Sequence, residues 1–166
     1  MNNRANCQNE GQQDSWLKTY QASAYAFVHL GSWLEFALDG GDSSQQLALA
    51  SSVTLITAWN PASSERDMNW NRSANAGLLR RIVAAGVDWS ASRGASLPGT
   101  EPSWREDGFC LHGLGMQEAS DWGRDVNQRA VVYLVDDRAG LLFCDQGQFV
   151  SCGLRMLSTK SAPSRR

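Results

Sequence analysis

Thr57, Trp59 and Asn60 close an apolar run that begins at Val53 and stops at Pro61. Asn71 and Asn75 follow one helical turn apart, and Glu101, Ser103, Trp104 and Gln128 come later, near the starts of further apolar segments. Hydroxyls, carboxamides and indoles donate and accept hydrogen bonds and stack, but they are poor nucleophiles. Such a set suits recognition of an amide, a carboxylate or a nucleobase edge in a pocket with a few convergent polar groups. Glu101 alone among them could move a proton, which makes it the one catalytic candidate; as a general base it would need a partner within reach. The ligand-binding candidates are Thr57, Trp59, Asn60, Asn71, Asn75, Glu101, Ser103, Trp104 and Gln128, with Trp59 or Trp104 as a stacking wall.

Each candidate also has a structural reading. Asn71 and Asn75 continue at helical spacing into Leu78 and Ile82, so both carboxamides fall on or beside the inward face. Leaving such a group unpaired in the interior costs about 1–3 kcal/mol. They either meet a ligand together with Thr57 and Asn60 at a helix N-terminus or tie the Asn-Pro turn to the sheet. Glu101 can accept backbone hydrogen bonds from its own loop, Gln128 can cap the preceding helix, and the tryptophans can simply fill the core.

Other chemistries find little support. Cys110 and His112 share a strand face and could begin a zinc site, but no second pair stands at metal-ligand spacing, and His29 is isolated. No GxSxG, GxGxxG, GxxxxGK[ST] or HExxH motif is present, so neither a metal nor a cofactor is expected. Cys7, Cys110, Cys144 and Cys152 form no CxxC pair and read as reduced thiols. A net charge of −2 and a pI near 5.6 weigh against a nucleic-acid partner. No segment reaches the roughly 18 apolar residues of a membrane span. The opening Met1-Asn2-Asn3-Arg4-Ala5-Asn6 lacks the apolar stretch of a signal peptide, so a cytoplasmic location is expected.

The elements that must position these groups follow from periodicity. Tyr25, Phe27 and His29 alternate with Ala26 and Val28, and Trp33 to Leu38 alternates after Leu30-Gly31-Ser32, which predicts a hairpin. Asp39-Gly40-Gly41-Asp42 breaks the chain, and Ser43 or Ser44 can cap a short helix through Ala50. The strand from Val53 ends at Asn60, which Pro61 pushes toward extended geometry. A helix is predicted from an Asp67 cap to Gly86, with Ala74, Leu78, Ile82 and Ala85 on one face. Val87 to Trp89 reads as a short strand, Ser90 to Thr100 as a loop and Ser103 to His112 as a strand. Ala119, Trp122, Gly123 and Val126 mark a second amphipathic helix, and Arg129 to Val135 and Gly140 to Cys144 a last hairpin about Asp136-Asp137. The expected fold is α+β, a single domain with a mixed β-sheet and two to three helices packed on it. That domain spans residues 16–150, between a disordered Asn/Gln-rich tail over 1–15 and a disordered Ser/Arg-rich tail over 151–166.

Taken together, Ile56-Thr57-Ala58-Trp59-Asn60-Pro61, Asn71 and Asn75 before Leu78, Glu101-Pro102-Ser103-Trp104 and Gln128-Arg129-Ala130-Val131-Val132 resemble the bacterial domain family of unknown function DUF3293. The likeness runs over residues 16–145. The family often carries Gly before the Gln, where this chain has Asn127, so the local turn is expected to differ. The resemblance implies a small intracellular bacterial domain and brings no established activity. Two functions remain open. One is a small polar-ligand-binding domain, with an enzyme as its variant, whose carboxamide-rich site lies at strand ends. The other is a protein-protein interaction or regulatory module in which the same residues are structural and Trp16, Trp33, the tails or a sheet edge meet a protein partner.

Overall fold

The computed structural model describes residues 15–39 and 47–161. A helix over residues 15–21, α1, leads into β1 (Ser23–His29), which turns back as β2 (Ser32–Asp39). There follow β3 (Val53–Ile56), a 3-10 turn (Pro61–Ser63), α2 (Met68–Ala84), β4 (Trp89–Ser96) and β5 (Arg105–His112). The chain ends with α3 (Met116–Asp125), β6 (Ala130–Val135), β7 (Arg138–Phe143) and β8 (Gln148–Ser161). All pairings are antiparallel, and the strands close into a barrel in the order β1-β2-β8-β7-β6-β3-β5-β4.

The closed barrel replaces the expected α+β fold with its mixed sheet. Two strands account for the difference. β4, with the sequence WSASRGAS, has no β-branched or aromatic residue after Trp89, so Ser90 onward reads as a loop. β8 runs through residues 151–161, expected to belong to a disordered tail, and packs Cys152, Leu154 and Met156 against the interior. Without these two, the remaining strands would form separate pieces, β1-β2 and β7-β6-β3-β5. β8 joins β2 to β7 and β4 joins β1 to β5, and closure leaves no free edge.

Residues 1–14, 40–46 and 162–166 lie outside the described residues, and with them nearly all of the expected N-terminal tail, the Ser43 or Ser44 cap and the end of the C-terminal tail. The part of the expected short helix that is described, residues 47–50, is not helical. Elsewhere local signals and structure agree. Leu30 and Gly31 both have positive φ (47° and 76°), the two-residue turn whose twist suits a hairpin. Asp67 accepts a hydrogen bond from Trp70 N–H (2.9 Å) at the start of α2, and Gly86 (φ 66°) follows its end.

Alternation along the strands divides the apolar residues into two layers. Tyr25, Phe27, Phe36, Leu38, Leu55, Cys110, Val132, Leu141 and Phe143 fill the barrel interior. Their neighbours Ile56, Leu111, Val131 and Leu142 face outward and are covered by Leu78 and Ile82 of α2 and Ala119 of α3. The helices therefore buttress one wall from outside.

Gly140 lies where β7 meets β8, and a Cβ there would strike the Val150 carbonyl oxygen and the Phe149 ring. Gly140→Ala is expected to destabilise the barrel by about 1–3 kcal/mol in urea unfolding. A variant as stable as the parent would show that the β7–β8 pairing is looser than described.

Candidate functional site

One end of the barrel opens into a cavity of about 290 Å³. Its walls come from the same end of neighbouring strands: Ser23 and Tyr25 of β1, Leu55 of β3, Ser92 and Gly94 of β4, Glu106 and Gly108 of β5, and Ala130 and Val132 of β6. Serine, glycine and alanine line this end where phenylalanine and leucine fill the other, which is why space remains. Trp16, Thr19 and Tyr20 of α1 and the residues after β3 form the cover. Tyr25 Oη donates to Tyr20 O (2.9 Å) and Ser23 Oγ to Thr19 O (2.9 Å), which fixes α1 over the mouth. Trp104 lies against β4 because Gly94 has no side chain; a Cβ there would sit 3.3 Å from the indole.

The segment after β3 leaves the ladder while still buried, so its backbone groups need other partners. Asn75 Oδ1 accepts from Ala58 N–H (2.8 Å) and its Nδ2 donates to Asp107 O (2.7 Å). Asn71 Oδ1 accepts from Asn60 N–H (3.0 Å), while its Nδ2 donates to Asn60 Oδ1 and to Arg66 O (3.1 Å each). Thr57 Oγ1 donates to Asp107 O (2.8 Å) and accepts from Trp59 N–H (3.1 Å). From the opposite side Gln128 Nε2 donates to Trp59 O (2.9 Å), and Ala62 N–H donates to Asn127 O (2.7 Å). Asn60 is not extended, as Pro61 led us to expect, but left-handed (φ 46°, ψ 59°). Asn tolerates that region, and its side-chain and backbone bonds hold it there. Asn127 is likewise left-handed (φ 55°), a conformation Gly would adopt freely.

Thr57, Trp59, Asn60, Trp104 and Gln128 therefore converge on the cavity. Asn71 and Asn75 stand behind them, with their amide groups engaged by the turn and by β5. Glu101 and Ser103 stand apart: both are exposed, and Glu101 Oε2 accepts from Ser103 N–H (3.2 Å). Glu65 also lies in the lining, but the acidic residue that a strand turns into the cavity wall is Glu106, which sequence reading missed. A period of two carried on from Trp104 through Glu106, Gly108 and Cys110 places all of them on one face and would have found it.

Glu106 Oε1 accepts from Asn60 Nδ2 (2.7 Å). Burial raises the carboxyl above its ordinary value of 4.5, against the opposing pull of the Asn60 hydrogen bond. Burial also pushes the Tyr20 phenol up to about 12 and that of Tyr25 well above its usual range, so both remain neutral. The Trp59 indole is 8% exposed, and its Nε1–H has no hydrogen-bond partner among the described residues. The site thus offers the half-buried Glu106 carboxyl, able to exchange a proton, and aromatic walls. Nucleophiles are poor: burial pushes the Cys110 and Cys144 thiols up to about 12. His112 Nε2 lies 3.7 Å from Cys110 Sγ and 3.3 Å from Ser90 Oγ, away from the cavity lining. Among the described residues no group of three His, Cys, Asp or Glu could hold a metal ion, and no helix is long and apolar enough to cross a membrane.

Asn75→Ala would strip the Ala58 N–H of its partner and is expected to lower stability by about 2–3 kcal/mol, measured by chemical denaturation. A neutral effect would remove Asn75 from the framework. The raised Glu106 carboxyl has a defined pH signature. Its contribution to stability is full below the unfolded value and is lost as pH rises through the folded one. Glu106→Gln should therefore gain on the parent between acid and neutral pH; a gap independent of pH would show an unperturbed carboxyl.

The family model described as a protein of unknown function, DUF3293, matches residues 56–131. That stretch runs from the end of β3 to the start of β6 and carries Thr57, Trp59, Asn60, Asn71, Asn75, Trp104, Glu106 and Gln128, but neither α1 nor the strands β1, β2, β7 and β8. Searches of curated proteins and of solved structures found no match. Over the stretch that shapes the mouth of its barrel, the chain resembles the DUF3293 family.

Proposed function

We propose that this protein binds a small molecule in the open end of the barrel, with Glu106 as its polar anchor. The observation that carries the reading is a half-buried carboxyl, Glu106, with one oxygen left unengaged by the described residues in the wall of an aromatic-lined cavity. Polar groups withdrawn from water are as a rule satisfied, and one left open in a cavity is what a ligand would complete. Eight-stranded barrels have an interior of the size to hold one small ligand. The framework carboxamides of Asn71 and Asn75 serve this site indirectly, by holding Trp59 and Asn60 in place. Should the protein be an enzyme, Glu106 rather than Glu101 is the group that would move a proton. The free thiols of Cys110, Cys144 and Cys152 agree with a reducing bacterial cytoplasm as its setting.

The protein-partner reading has less support. Trp16 lies beneath Arg129 (4.5 Å) and Trp33 beneath Arg93 (4.8 Å), both half-buried rather than offered to a partner, and the closed barrel has no sheet edge to extend.

Titration with the uncharged fluorophore N-phenyl-1-naphthylamine tests the cavity. Saturable one-to-one binding is expected, weakened about fivefold or more by the filling variant Ser92→Leu with its circular dichroism unchanged. Absence of saturation, or binding indifferent to Ser92→Leu, would contradict the reading.

A further inference from the structure

We propose that the molecule held in the barrel mouth is a small amine, a compact aromatic or aliphatic body whose protonated nitrogen sits against Glu106. This rests on the ligand-binding reading above and adds to it the charge of the ligand. The first support is the state of Glu106. Its Oε1 is taken by Asn60 Nδ2 at 2.7 Å, and its Oε2 has no hydrogen-bond partner among the described residues. A half-buried carboxylate without a counter-charge is disfavoured, and a cation delivered by the ligand would relieve it.

The second support is that none of the ion pairs among the described residues involves Glu106. The ion pairs among the described residues join Arg81 to Asp125, Arg93 to Glu35, Arg105 to Asp107 and Arg124 to Asp121. Arg93 does reach the cavity lining, but it faces Glu35 at 3.8 Å and lies over Trp33 at 4.8 Å. Arg129, at the edge of the mouth, lies over Trp16 at 4.5 Å and donates to Ala62 O at 3.2 Å. Glu65, also in the lining, adds negative charge at the rim.

The third support is the wall. Trp59, Trp104, Tyr20 and Tyr25 line the same cavity as the carboxyl, and the faces of aromatic rings attract a cation and repel an anion. Aromatic walls and an unpaired carboxylate describe an amine better than they describe a carboxylic acid or a sugar.

The test uses the full chain and three probes of one shape: 2-phenylethylamine, 2-phenylethanol and phenylacetate, titrated by tryptophan fluorescence and calorimetry near neutral pH. The amine should bind about tenfold or more tightly than the alcohol, and phenylacetate more weakly still. Glu106→Gln, which keeps the shape and the Asn60 bond, should abolish the preference for the amine while changing alcohol binding about twofold or less. Equal or tighter binding of the alcohol or of phenylacetate would overturn the amine assignment and leave the cavity reading standing. An amine preference that survives Glu106→Gln would overturn it also. If none of the three binds, the amine assignment fails, and the naphthylamine titration of Ser92→Leu decides separately whether the cavity reading fails with it.

Discussion

A buried backbone that has left its ladder must find other partners, and the site is organised around that demand. Where β3 ends, residues 57–60 run under α2 and over the barrel mouth with no neighbouring strand to pair with. Asn71 and Asn75, one turn apart on the buried face of α2, supply what the ladder would have supplied and bind β5 through Asp107 O. Carboxamides suit this task because each donates and accepts at once without bringing a charge inside. The side chains they hold in place, Trp59 and Asn60, are the ones that face the cavity, and Asn60 carries the hold onward to Glu106. Framework and site are thus one connected hydrogen-bonded unit.

The barrel is unequal along its axis. At one end phenylalanine, leucine and valine from facing strands meet. Toward the other, small residues on β1, β4, β5 and β6 stop short of the axis, and α1 closes the top. The same small residues that open the cavity make β4 hard to see as a strand. Function and the ambiguity of the sequence have one physical origin here: a strand whose inward face is kept empty carries little of the apolar signal by which strands are recognised.

Much of the mouth was legible from residue types alone. The Asn-Pro corner, the paired asparagines, Trp104 and Gln128 are the features around which the cavity forms, and α2 begins and ends where Asp67 and Gly86 indicate. Closure was not legible, because it depends on β4, which looks like a loop, and on β8, which looks like a tail. β4 has little local reason to be extended and is held by the two strands it bridges, whereas in β8 the period of two through Val150, Cys152, Leu154 and Met156 was a signal passed over. Glu106 was passed over in favour of Glu101, which stands beside the more conspicuous Pro-Ser-Trp motif. Alternation along β5, rather than motif membership, decides which of the two faces inward. Asn71 and Asn75 had two readings in the sequence, and their bonds to backbone carry the structural one.

The account turns on a half-buried carboxyl in the cavity wall without a counter-charge among the described residues. Following the side-chain carboxyl carbon of Glu106 by NMR through a pH titration, with and without saturating 2-phenylethylamine, measures that state directly. The free protein should titrate above the ordinary 4.5, and the amine should draw the midpoint downward as it stabilises the anion. A midpoint at or below the ordinary value in the free protein, or one that the bound amine leaves in place, would contradict it.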